Sequence, residues 1–392
     1  EVSSDKSISI RCVLLASQAI GKSKLYNLLE SEDVINSLNS IRKLGINVKK
    51  KKKYYEIFGY GINGYKSKNK LTIDAGNSGT LARLIMGLLV NTEKKIKIIG
   101  DKSLSKRDFS RIINPLKLFG TNIISKGNLP VTIKGTKFLR PIKYIERLGS
   151  AQCKSAVMLA AIKTPGKTFI KAKKSRNHTE LLFKYLKLPI SLLKTKNYDL
   201  IKIKKAKKIN SFNYNIPSDM SSAAFFIVLT CLTENSALTV KNVNINFSRI
   251  GIITILKKMG VKILLKNKKK YKGEKIADIK VKSSKLIKPI NCPIKLNASA
   301  IDEFLVIFLL AAKANGVSYF KNLEELNKKE SPRLNLAIKF MKMMGIKVIK
   351  NKNDIKIYGN PKLVLNKNYH IKNFFKDHRI FMMSVIAALT LG

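Results

Sequence analysis

Two kinds of cation share this chain very unequally, and the rarer one marks where chemistry can occur. Of 77 Lys and Arg residues, only 11 are Arg. A guanidinium grips a carboxylate or phosphate through two parallel hydrogen bonds, a geometry that an ammonium cannot copy. In a lysine-rich chain, arginine persists where lysine cannot replace it. Six of the eleven, Arg11, Arg83, Arg107, Arg176, Arg333 and Arg379, fall in or beside short segments rich in Ser, Asp and Gly. Two of the three His, His178 and His378, fall there too, although a structural hydrogen bond would explain either. These residue types suit an enzyme acting on small, strongly anionic molecules that carry more than one phosphate or carboxylate.

The elements that must position these side chains repeat. Six segments combine a polar head with an apolar run of helix length, starting at Asp5, Gly76, Ser150, Asp219, Ser299 and Asp377, at intervals of about 70–80 residues. Helices this apolar on every side belong inside a domain. Their N-termini expose unpaired N–H groups and partial positive charge, so six of them could cage anions. Helix capping by Ser and Asp is the simpler explanation of any single head. Between the heads, amphipathic helices end at Gly45, Gly120, Gly260 and Gly345, each followed by a strand pattern. Further strands are expected at Tyr54–Phe58, Lys95–Ile99 and Val131–Ile133.

Composition narrows the classes. Net charge is +53, yet arginine is scarce and the lysines are spread along the whole chain, so the charge reads as solvated loops and outer faces rather than a nucleic-acid surface. The densest runs are Lys49–Lys53 and Lys266–Lys272. With 45% apolar residues the chain can fill packed cores, which excludes intrinsic disorder. The longest apolar stretch, Phe304–Ala312, is far shorter than the roughly 20 residues that span a bilayer. Cys12, Cys153, Cys231 and Cys292 are far apart, which argues against a zinc finger or disulfide scaffold and suits a reducing compartment. No signal or transit segment is visible.

The motifs DKSISIR, LESED, DAGNSGTLAR, GDKSLSKR, SAQCKSA, SRNHTE, SDMSSAAFF, KKESPR and DHR occur in an order that resembles the 5-enolpyruvylshikimate-3-phosphate synthase family of enolpyruvyl transferases. The resemblance covers essentially the whole chain. It implies an α/β (α+β) fold: a two-domain inside-out α/β barrel of six βαβαββ-type units, three per domain, with the site in the cleft between domains. The first domain is expected at 1–217 and the second at 218–392. The implied reaction moves the enolpyruvyl group of phosphoenolpyruvate to the 5-hydroxyl of shikimate 3-phosphate and releases phosphate, through a tetrahedral ketal, by addition and elimination. This is a step of the shikimate pathway to chorismate and the aromatic amino acids. No metal or organic cofactor is implied. A cytoplasmic monomer without nucleic-acid or membrane partners is expected.

The resemblance also implies roles for particular residues. Lys6, Asp302 and Glu330 would be catalytic: Lys6 touches both substrates, Asp302 accepts the proton of the 5-hydroxyl, and Glu330 moves a proton near the methylene carbon. Shikimate 3-phosphate would be bound by Lys6, Ser7, Arg11, Ser150, Ala151, Gln152, Arg176, Asp302 and Lys329. Phosphoenolpyruvate would be bound by Lys6, Asn77, Gly79, Arg107, Gln152, Arg333 and Arg379. Glyphosate occupies this second pocket in the family, and the retained Gly79 points to sensitivity.

There are departures from the family's pattern. Ser3-Ser4 stands where Pro-Gly is common, Ile10 for His, Asp108 for Pro, Asn177 for Asp and Pro332 for Asp. Asp108 is the most consequential, because it adds negative charge beside Arg107. The family's opening strand and its closing segment, which carries a further lysine, have no counterpart here. The sequence is therefore expected to be a piece of a longer reading frame, with an open sheet edge where a strand is missing. The related transferase acting on UDP-N-acetylglucosamine is one alternative. It uses a reactive cysteine, and none of the four cysteines here has such a setting. A Lys-rich nucleic-acid-binding protein and an inactive fragment are two others.

Overall fold

The computed structural model describes every residue except 67–69, 366–367, 371–373 and 375–376. Two compact units emerge. The first comprises Ser4–Pro217 with Lys272–Glu274, and the second Glu1–Ser3, Ser218–Tyr271 and Lys275–Gly392. The first three residues thus belong with the later part of the chain, against a single cut after residue 217. The Asp219 N–H donates to the Ser3 carbonyl at 2.9 Å, which ties that end in place.

The first unit repeats one sheet design three times. Ile20–Tyr26 pairs in parallel with Asn213–Asn215 and antiparallel with Tyr54–Tyr60, and Asn47–Lys50 completes the row. Ile96–Ile99 pairs in the same way with Leu71–Asp74 and Val131–Lys134, followed by Asn122–Ile124. Lys167–Lys173 pairs with Lys143–Glu146 and Tyr198–Lys204, followed by Ile190–Lys194. Each sheet is two-sided. Thr168, Ile170 and Ala172 are buried, while Lys167, Phe169, Lys171 and Lys173 face out, the period-two alternation of a half-buried strand. Inside lie the helices Lys6–Ser17, Gly79–Leu88 and Ala151–Ala161. Residues 8–17 of the first are all buried, as its all-round apolar sequence requires. Helices inside and sheets outside give the inside-out arrangement.

The second unit has two three-stranded sheets among the described residues: Ala237–Asn244, Glu274–Lys282 and Ile263–Tyr271, then Val317–Phe320, Asp354–Tyr358 and Val348–Asn351. The parallel strand that heads each sheet of the first unit shrinks here to single bridges, Ser218 to Val243 and Asn291 to Tyr319. Its core helices are Met220–Leu232 and Phe304–Ala312, all nine residues of the latter buried; His378–Leu391 departs from expectation, burying only Ile380, Met383, Ile386, Ala387 and Leu391 while Phe381 and Leu389 are exposed.

Five of the six heads cap their own helices. Asp5, Ser78, Ser150, Asp219 and Asp377 each accept from a backbone N–H two or three residues on. The fifth head departs from expectation. Ser299 lies in a preceding short helix, Asn297–Ala300, and donates to the Leu296 carbonyl, so Phe304–Ala312 begins at Glu303 without a side-chain cap. Gly45, Gly120, Gly260 and Gly345 have φ between +76° and +98°, the left-handed stop that ends each amphipathic helix. The lysine run Lys49–Lys53 is exposed; Lys266–Lys270 is exposed too, but on a strand rather than a loop.

Candidate active site

In the first unit the heads bring together cations whose hydrogen bonds go to neutral oxygens. Arg11, one turn into its helix, is buried; it donates from Nε to Thr179 Oγ1 (2.8 Å), from Nη1 to the Ser7 carbonyl (2.9 Å) and from Nη2 to Ser155 Oγ (3.3 Å). Burial pushes the Arg11 guanidinium down to about 10, so it keeps its charge at neutral pH. Arg83 donates to the Gly79 carbonyl (3.3 Å), Gln152 Oε1 (3.1 Å) and the Asp108 carbonyl (3.2 Å), and lies 4.6 Å from the centre of the Phe109 ring. Desolvation lowers its affinity for a proton as well. Arg107 donates to Asn77 Oδ1 at 2.6 Å. None of these three has a carboxylate within ion-pair distance among the described residues. Buried or half-buried guanidinium groups without counter-charges attract anions.

Gln152 is fixed at both ends, accepting from Arg83 and donating to Thr80 Oγ1 (2.9 Å). Gly79 opens the Gly79–Leu88 helix. A Cβ there would meet Arg83 Nη1 at 2.6 Å and Arg107 Nη1 at 3.1 Å, so the glycine leaves room for both guanidinium groups. Lys6 begins its helix and pairs with Asp33 at 2.8 Å, half-exposed. Asp33 was not singled out in the sequence; only its place in LESED marked it. Asp108 turns away from Arg107. Its Oδ1 accepts from the N–H and hydroxyl of Ser110 and its Oδ2 lies 3.5 Å from Arg111, just ahead of the Ser110–Leu118 helix, whose N-cap is Phe109.

The second unit gathers carboxylates around one guanidinium. Arg333, 1% exposed, donates from Nε to Asp377 Oδ2 (2.9 Å), from Nη1 to Asp302 Oδ1 (3.3 Å) and from Nη2 to Glu330 and to Asp377 Oδ1 (3.4 Å). Burial opposes its charge, but Glu330, Asp377 and Asp302 more than compensate and push it up. Burial pushes the Asp377 carboxyl up as well, yet Arg333 and the hydroxyl of Ser331 (2.7 Å) hold it below its ordinary range. Arg379 donates to the Asp302 carbonyl at 3.0 Å, with Asp302 Oδ2 at 3.9 Å. Asp302 and Glu330 are thus bridged by Arg333, and Arg379 touches the first of them. Sequence reasoning missed Asp377 as a partner of Arg333 and read it only as a helix head.

Ser150, Ala151 and Arg176 lie at or near helix starts in the first unit, all partly exposed; Lys329 follows the Glu324–Lys328 turn of the second unit. Two buried pairs back the first group: Lys154 with Glu180 at 2.6 Å and His178 Nδ1 with Glu274 at 2.6 Å, the latter a structural role for that histidine. All four cysteines are buried thiols. Burial pushes Cys231 up to about 12 and Cys292 up to about 11, and raises Cys12 and Cys153 too, so none is an activated nucleophile. Among the described residues no three His, Cys, Asp or Glu gather to hold a metal ion, and no helix is long and apolar enough to cross a membrane.

Residues 1–392 match the family model described as EPSP synthase (3-phosphoshikimate 1-carboxyvinyltransferase). A relative with the name 3-phosphoshikimate 1-carboxyvinyltransferase from Ruthia magnifica subsp. Calyptogena magnifica is 39% identical over 391 residues, covering 99% of this chain and 88% of the relative. One of the same name from Thermodesulfovibrio yellowstonii is 37% identical over 391 residues, covering 98% and 89%. The solved EPSP synthase of Acinetobacter baumannii superposes with a TM-score of 0.87 at 34% identity, covering 99% of this chain and 88% of that one. The enolpyruvyl transferase NikO of Streptomyces tendae, at 12% identity, shares the fold with a TM-score of 0.74, covering 99% and 87%.

Proposed function

The chain belongs to the EPSP synthase (3-phosphoshikimate 1-carboxyvinyltransferase) family, and we propose that it divides that reaction between an anion-binding set of residues and a proton-moving set. The enzyme transfers the enolpyruvyl group of phosphoenolpyruvate to the 5-hydroxyl of shikimate 3-phosphate and releases phosphate. One observation carries the division of labour. Arg11, Arg83 and Arg107 of the first unit hydrogen-bond to neutral oxygens, whereas Arg333 of the second unit holds three carboxylates.

Arg11 and Arg176, with Ser7, Ser150, Ala151, Gln152 and Lys329, bind shikimate 3-phosphate. Arg107, Asn77, Gly79 and Gln152, with Arg333 and Arg379, receive phosphoenolpyruvate. Lys6 is shared between the substrates; its half-exposed pair with Asp33 still faces solvent in part and can be exchanged for a substrate anion. Asp302 takes the proton of the 5-hydroxyl as its oxygen attacks C2 of phosphoenolpyruvate. A proton is delivered to the methylene carbon in the same addition, with Glu330 and Lys6 as the groups that move it. Elimination returns a methyl proton to the protein and expels phosphate, so atoms and charge balance without a cofactor. Arg333 orients both carboxylates, which general acid–base catalysis requires.

The thiol environments disfavour the transferase that depends on a reactive cysteine. A monomer working in the cytoplasm, without nucleic acid, completes the proposal; four reduced cysteines are compatible with that compartment. The test is phosphate release from phosphoenolpyruvate with and without shikimate 3-phosphate. Release should depend strictly on the second substrate, and Lys6→Met should abolish it while the circular dichroism stays unchanged. Release that ignores shikimate 3-phosphate, or normal turnover by the Lys6→Met variant, would overturn the assignment.

A further inference from the structure

We propose that Thr179 is a positioning residue whose hydroxyl sets the orientation of the Arg11 guanidinium and so the affinity for shikimate 3-phosphate. The proposal rests on the assignment of Arg11 to that substrate. Arg11 is 5% exposed, and among the described residues its N–H groups reach only Thr179 Oγ1, Ser155 Oγ and the Ser7 carbonyl. Three of its five N–H donors are used, which leaves two with no partner among the described residues.

The Nε–Nη2 edge is the side of the guanidinium that normally forks onto a carboxylate. Here that edge is taken by two hydroxyls. Thr179 accepts from Nε at 2.8 Å and Ser155 accepts from Nη2 at 3.3 Å, while the two hydroxyl oxygens lie 2.7 Å apart and bond to each other. The pair acts as a neutral cradle. It fixes the plane of the guanidinium as a carboxylate would, without cancelling its charge. A carboxylate in its place would compete with the anionic substrate.

Thr179 can serve as a fixed reference because its neighbours are locked. It stands in the first turn of the His178–Tyr185 helix. His178 is held by Glu274 and Glu180 by Lys154, each pair at 2.6 Å and almost fully buried. Glu180 pairs with Lys154 rather than with Arg11, and acts on the Arg11 charge only from beyond ion-pair distance. Branching at Cβ further restricts the Thr179 rotamer.

Thr179→Val keeps the shape and deletes the acceptor, whereas Thr179→Ser restores a hydroxyl. An unpaired N–H on a buried cation costs enough that KM for shikimate 3-phosphate should rise about tenfold in the Val variant. Its kcat and KM for phosphoenolpyruvate should stay within about twofold, and the Ser variant should lie within about threefold of wild type throughout. Loss of packing alone would lower stability without selecting one substrate. A Val variant with wild-type KM for shikimate 3-phosphate, or a Ser variant as impaired as Val, would overturn the proposal. If Thr179→Val folds poorly, Ser155→Ala removes the other half of the cradle and should raise the same KM selectively; an unchanged KM there also counts against it. Arg11→Lys separates the two levels. If it leaves KM for shikimate 3-phosphate unchanged, the assignment of Arg11 fails. If it raises that KM while Thr179→Val does not, only the role of Thr179 fails.

Discussion

Replacing Arg333 with methionine tests how the second unit holds its carboxylates. The side chain is 1% exposed and binds Asp377, Asp302 and Glu330, of which Asp377 is fully buried. Summing separate charged hydrogen bonds would overstate its worth, because burying the guanidinium already costs solvation. The better measure is removal of one partner from a buried ion pair, about 3–5 kcal/mol. The sign of the pH dependence follows from Asp377. Its folded carboxyl is held below the ordinary range, so its contribution is present above the unfolded value of about 3.9 and is lost as pH falls below it. In Arg333→Met, burial and the nearby Glu330 charge should outweigh the Ser331 hydroxyl and raise that carboxyl above its unfolded value. The variant then gains stability by taking up a proton as pH falls. The difference between the two proteins should be largest at pH 7 and shrink toward pH 5. Because a protein of two units need not unfold in one step, amide hydrogen exchange in the helices Arg333–Met343 and His378–Leu391 is the suitable assay. A change in opening free energy below about 1 kcal/mol at pH 7, or a difference independent of pH, would refute the reasoning.

Other perturbations have equally definite outcomes. Gly79→Ala places its Cβ against the ends of two flexible arginines, so Tm should move by less than about 2 °C while KM for phosphoenolpyruvate rises about tenfold; an unchanged KM would show that the guanidinium groups need not be where they stand. Gly87→Ala is the contrast: its Cβ would lie 2.2 Å from the Ala156 carbonyl, between the helices Gly79–Leu88 and Ala151–Ala161. Backbone cannot yield as a side chain does, so thermal unfolding should show a loss of about 1–3 kcal/mol or more. Lys163 donates to the Ile62 carbonyl (2.6 Å) and Asn91 Oδ1 (2.9 Å), and burial pushes it down to about 7. The unfolded chain then binds the extra proton between that value and about 10, so wild-type stability should rise with pH across this window. Thermal unfolding of Lys163→Met from pH 7 to pH 9.5 should lack that rise; parallel curves would exclude the effect.

Much of the fold was legible because it rests on local patterns. All six apolar runs with polar heads became helices, five of them largely buried and His378–Leu391 only along one side, and five heads cap them, since a Ser or Asp oxygen reaches its own helix N–H wherever the chain folds. The four glycines ending amphipathic helices sit at positive φ because only glycine reaches that conformation without strain. The fifth head was misread, because the turn before Phe304 depends on what packs around it. The single cut after residue 217 was also too simple, since backbone hydrogen bonds, not sequence order, hold Ser3 beside Asp219.

At the site, the sequence alone determined which residues carry charge and where rare arginines stand, because side-chain chemistry and its spacing need no coordinates. It could not determine which arginines are neutralised. Arg11 and Arg333 look alike in the sequence, each in a polar motif. In the folded protein one rests on two hydroxyls and a carbonyl, 168 residues separating it from Thr179, while the other binds three carboxylates. Asp108 looked like a charge set against Arg107, and its carboxylate bonds to Ser110 and lies beside Arg111. The physical reason is the same each time. Electrostatic interaction in a protein depends on distance, burial and hydrogen-bond partners, and these are properties of the packed chain rather than of its order.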